Sequence, residues 1–63
     1  MEIKSAPQLR KDYQLSPDLA VIVARANLNN PTEIRDMIRR IGESQAYDGE
    51  GDRAIKYLRQ FLR

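Results

Sequence analysis

The chain contains no cysteine and no histidine. Without cysteine no disulfide can staple it, and without either residue the usual zinc sites are excluded. The commonest general base and the thiol nucleophile are missing as well. A glycine-rich phosphate loop is also absent. Gly49 and Gly51 lead into Asp52, where such a loop needs a lysine and a hydroxyl residue. No apolar run approaches membrane-spanning length, and Met1-Glu2-Ile3-Lys4 lacks the pattern of a signal peptide. The expectation is a non-enzymatic protein of a reducing, cytoplasmic compartment, with no cofactor, no metal and no membrane association.

What remains is short and evenly charged. Sixty-three residues read as one domain, and a chain of that size leaves much of its surface exposed even when folded. Packed helices, self-association or a partner protein must then supply stability. Eleven Lys/Arg against nine Asp/Glu give a net charge of +2, too balanced to argue for nucleic acid by itself. The distribution says more. Residues 43–51 carry Glu43, Asp48 and Glu50 and no base, whereas the segment from 52 carries Arg53, Lys56, Arg59 and Arg63 against Asp52. Such arginines suit the outer face and the negative end of a helix.

The best-specified element begins at Asn30. Its side chain can accept from the first-turn N–H groups, Pro31 fits the first helical position, and Glu33 makes a capping-box-like pair. Ile34, Met37, Ile38 and Ile41 form one apolar stripe, and Gly42 is a fitting terminator. The spacing predicts a helix over 31–41, with Asp36 able to pair with Arg39 or Arg40 on its outer face.

Ser16-Pro17-Asp18 is a second start signal. It predicts a helix over 17–28, although Leu19-Ala20-Val21-Ile22-Val23-Ala24 is rich enough in β-branched residues for a buried strand. Leu19, Ile22, Val23 and Ala26 make one face of that helix; Ala20, Val21, Ala24 and Leu28 make another. A helix apolar nearly all round needs cover on nearly all sides. One face is therefore assigned to the core. The other, through Val21, Ala24 and Leu28, is assigned to a protein partner or a second copy.

Toward the C-terminus, Asp48-Gly49 and Glu50-Gly51 favour turns, and Asp52 suits the cap of a last helix over 52–62. Its stripe is Ala54, Ile55, Leu58, Phe61 and Leu62, with Tyr57 at the edge and Tyr47 pinning the preceding loop. The alternating acids Asp48, Glu50 and Asp52 begin like a calcium loop, but Arg53 and Arg59 occupy the positions that need glycine and a bidentate acid. Residues 1–15 read as an ordered arm or as a short helix over 7–13 started by Ser5-Ala6-Pro7.

The fold expected is all-α: a small bundle of three main helices, about 17–28, 31–41 and 52–62, with an N-terminal arm or short helix. The function expected is a small regulator or adaptor that binds a protein, itself or another. A second reading is a helix-turn-helix DNA-binding regulator built from 17–28 and 31–41. Thr32, Glu33, Arg35 and Asp36 would then face the bases, with Arg39 and Arg40 near phosphate. Arg53, Lys56, Arg59 and Arg63 would offer a further surface to nucleic acid or an acidic partner. Against this reading, Glu33 and Asp36 place negative charge on the reading face, and Leu28 stands where such motifs usually place glycine.

Overall fold

The computed structural model describes residues 3–44 and 46–62. Among them the chain forms four helices and no strand: α1 (Ala6–Asp12), α2 (Pro17–Ala24), α3 (Pro31–Glu43) and α4 (Asp48–Arg59). The main pairings are α1 with α2, α3 with α4, and α2 with α4. Two helical hairpins thus join through α2 and α4. The short N-terminal helix is a fourth member of the bundle, not an arm across three.

α1 starts where Ser5-Ala6-Pro7 indicates. The Ser5 N–H donates to Gln8 Oε1 at 3.0 Å, satisfying a donor at the helix start. Leu9 is fully buried. The helix stops because Gln14 adopts a left-handed φ of 55°, which turns Leu15 back into the core.

α2 begins at its expected signal, with Ser16 Oγ accepting from Leu19 N at 3.4 Å. It ends at Ala24, four residues short of the expected 28. The cause is Asn27. Its side chain accepts from Asn29 N at 3.1 Å and its carbonyl accepts from Asn30 N at 3.0 Å, so a turn replaces the helical ladder. The connection to α3 is therefore longer than two residues, and α3 packs principally on α4.

Asn30 caps α3 as expected, accepting from Thr32 N at 3.1 Å and Glu33 N at 3.3 Å. Glu33 does not close the expected box on Asn30. Its Oε1 instead accepts from Asn27 N at 3.2 Å, fastening the α2–α3 connection. Ile34 and Ile41 are buried, and Met37 and Ile38 pack against the core. Gly42 does not terminate the helix. No glycine of the chain has a positive φ, and α3 runs on to Glu43.

α4 starts at Asp48, so the acidic run expected to be a loop is the first turn of a helix. Asp52 lies inside that helix and does not cap it. A close neighbour explains one of the two glycines there. A Cβ on buried Gly51 would lie 3.3 Å from Ile41 Cγ2 and 3.4 Å from Tyr47 Cβ, so its absence lets α4 approach α3 closely. Glu50 Oε1 accepts from the Ser16 N–H, which ties the start of α2 to α4.

The core consists of Leu9, Leu15, Leu19, Ala20, Val23, Ile34, Ile41, Ala54, Tyr57 and Leu58. Tyr57 is at its centre rather than its edge, only 1% exposed. Its ring meets Tyr13 edge-on at 5.3 Å and Phe61 at 5.2 Å, and its hydroxyl accepts from Lys4 N at 3.0 Å. That hydroxyl contact draws the segment before α1 onto α4 and satisfies the one polar atom of a buried ring.

Candidate functional site

Two β-branched side chains stand out on α2. Val21 is 41% exposed and Ile22 is 39% exposed, side by side on the face turned from α1 and α4. The buried residues of this helix are Leu19, Ala20 and Val23. The helix therefore does have a covered and an uncovered apolar face, but the dividing line differs from the one expected. Ile22, assigned to the core, is exposed. Ala20, assigned to the outer face, is fully buried.

Ile22 also forms one wall of a cleft of about 390 Å³ between α2 and α3. Met37, Ile41 and Tyr47 supply the rest of its apolar lining, and Glu33, Asp36, Arg40 and Ser44 its polar rim. The cleft follows from the helix pairing. With α2 packed on α1 and α4, and α3 packed principally on α4, the space between α2 and α3 is left open as this cleft.

Two of the rim charges, Asp36 and Arg40, are paired with each other. Asp36 accepts from Arg39 Nη2 at 2.7 Å and pairs with Arg40 Nε at 2.9 Å; Arg39 also lies 3.7 Å from Glu43. The hydrogen bond from Arg39 holds the Asp36 carboxyl below the ordinary aspartate value, with Arg40 adding to it, and Asp36 in turn raises Arg39. Asp36 remains a fixed negative charge beside the apolar floor.

No family model, curated protein or solved structure matches this chain. The site is therefore defined by its own chemistry. Of the residues expected at a protein interface, Val21 and Ala24 are exposed, and Ala24 extends the surface one turn beyond Val21. Leu28 lies beyond the end of α2 and is half-buried against the core.

The basic residues divide into three groups. On α3, Arg35, Arg39 and Arg40 are exposed, and the last two share Asp36. On α4, Lys56 and Arg59 are exposed and line a shallow groove with Asp52 and Ile55. Arg53 is different. Its Nε donates to the Tyr13 carbonyl at 2.7 Å and its Nη2 to the Gln14 carbonyl at 3.0 Å, and Gln60 Nε2 donates to Tyr13 Oη at 2.9 Å. That side of α4 holds the end of α1 in place. Arg63 lies outside the described residues.

Among the described residues no helix is long and apolar enough to cross a membrane, and no cluster of acidic side chains is arranged to hold a metal ion. Glu50 and Asp52 lie on helical backbone, and Glu50 is engaged by the Ser16 N–H.

The α2–α3 cleft has no signature in sequence, because its walls come from helices whose packing is set elsewhere. The exposed pair did have a signal. Asp18 and Arg25 bracket Val21 and Ile22 at helical spacing, marking a side of α2 with an exposed charge at each end.

Proposed function

We propose that this chain is a small non-catalytic binding module, a regulator or adaptor that acts by docking a protein on the surface formed by Val21, Ile22 and the adjoining cleft. The observation that carries the reading is the pairing of two exposed β-branched residues with an apolar-floored cleft on a chain this short. Apolar area left uncovered in that way favours burial against another protein. The charged rim of Glu33, Asp36 and Arg40 would set orientation and exclude mismatched partners.

Two features favour this reading over a helix-turn-helix. α3 packs principally on α4, leaving α2 and α3 without the close mutual packing of that motif. Asp36 engages both Arg39 and Arg40, which lowers the positive field available to phosphate.

The test is fluorescence anisotropy of a labelled mixed-sequence DNA duplex titrated with the chain, at low and at near-physiological salt. The expected result is no binding at low salt. Binding that weakens as salt rises would replace this reading with the nucleic-acid one, and Arg35 and Arg39 would then be the residues to change.

A further inference from the structure

We propose that the partner covering α2 is a second copy of this chain, paired antiparallel about a two-fold axis that passes between Val21 and Ile22. The proposal rests on the binding-module reading and names its occupant.

The exposed side of α2 carries four residues in line: Asp18, Val21, Ile22 and Arg25. They follow one another at i, i+3, i+4 and i+7, the spacing of a single helix face. The order is acid, apolar, apolar, base. Neither charge has an ion-pair partner among the described residues. Asp18 sits in the first turn and Arg25 is the C-cap residue, so each charge also complements its end of the helix dipole.

Such a face is complementary to itself in only one sense. A parallel copy would set Asp18 against Asp18 and Arg25 against Arg25. An antiparallel copy sets Asp18 opposite Arg25 of the second copy at both ends, and Val21 opposite Ile22 in the middle. The separation of the charges along the helix is about 10 Å in both copies, so the two pairs close together. The result is an isologous interface, the commonest arrangement in homo-oligomers. One short helix face per copy makes a small interface, so the pairing belongs to the weak, transient class.

Sedimentation velocity of the chain from micromolar to millimolar concentration tests this. The native chain is expected to pass from monomer to dimer over that range. D18R and R25D each convert two attractive contacts into two repulsive ones and should weaken pairing by roughly tenfold. An equimolar mixture of D18R and R25D should recover the dimer, because each variant then meets the opposite charge. Circular dichroism reports whether each variant folds. If either does not, cross-linking of D18C with R25C by a short thiol reagent gives the same geometry, since the chain has no other cysteine; the mixture should link and D18C alone should not.

A monomer at every concentration would overturn the pairing, as would a dimer indifferent to both charge changes. The DNA titration decides the binding-module reading separately, so the two failures are distinguishable.

Discussion

Arg53 donates from Nε to the carbonyl of Tyr13 at 2.7 Å, joining positions forty residues apart in sequence. The adjacent Gln14 carbonyl accepts from Nη2 at 3.0 Å. These carbonyls lie at the end of α1, where backbone acceptors lack helical partners and positive charge is favoured. The guanidinium therefore fastens the first hairpin to the second. Arg53→Gln should lower unfolding free energy by roughly 1–3 kcal/mol, read from urea denaturation. Arg53→Lys should recover only part of it, because an ammonium cannot reproduce the planar fork. An unchanged denaturation midpoint in Arg53→Gln would mean that the tether carries no stability.

The two glycines of α4 should respond in opposite ways. A Cβ on exposed Gly49 would meet Arg53 Nη1 at 3.5 Å, an ordinary contact. Gly49→Ala should thus stabilise the chain by about 0.5–1 kcal/mol through helix propensity and a less flexible unfolded state. At Gly51 a Cβ already meets Ile41 at 3.3 Å, and anything larger must push α4 from α3. Gly51→Val should destabilise by about 1–3 kcal/mol. Thermal melts of the two variants check the contrast.

Tyr57→Phe isolates the hydroxyl that accepts from Lys4 N. The ring packing against Tyr13 and Phe61 would stay, and the Lys4 N–H would lose a partner. A loss of about 1 kcal/mol is expected, with faster amide exchange at Lys4 as the local readout. Exchange at Lys4 matching the native chain would show that the hydroxyl does not hold this segment.

Acid should weaken the fold through Asp12 and Asp36. The hydrogen bond from Lys4 holds the Asp12 carboxyl below its ordinary value, and that from Arg39 does the same for Asp36. A carboxylate whose folded pKa is depressed contributes stability above its unfolded pKa and loses it as pH falls through the folded one. Denaturation midpoints should therefore hold steady near neutrality and decline below about pH 4. Asp36→Asn should flatten part of that decline, and added salt should shrink it, since both carboxylates are exposed.

Legibility in the sequence followed locality. Asn30-Pro31 and Ser16-Pro17 start helices through bonds within one turn, so their residues name their own structure. The stripe Ile34, Met37, Ile38 and Ile41 is equally local in origin. The end of α2 was not legible, because a turn at Asn27 competes with a helix-compatible apolar pattern, and Glu33 from the next helix helps it win. Gly49 and Gly51 read as turn residues, yet both are helical, and at Gly51 the close contact with Ile41 and Tyr47 comes from α3 and the segment before α4. Tyr57 read as marginal until Lys4 and Tyr13 supplied its partners from the far end of the chain. For the candidate site, Val21 and Ala24 were legible as an uncovered face, Ile22 was marked only by the flanking Asp18 and Arg25, and the cleft depends on which helices pair.

The central claim is that the Val21–Ile22 surface and its cleft bind apolar protein groups. The most direct measurement is an amide-resolved NMR titration with an apolar probe such as anilinonaphthalene sulfonate, repeated on Val21→Lys. The account predicts shifts concentrated at Val21, Ile22, Met37, Ile41 and Tyr47, weakened in the variant while the fold persists. Shifts scattered over the chain, or confined to Arg35, Lys56 and Arg59 and untouched by Val21→Lys, would contradict it.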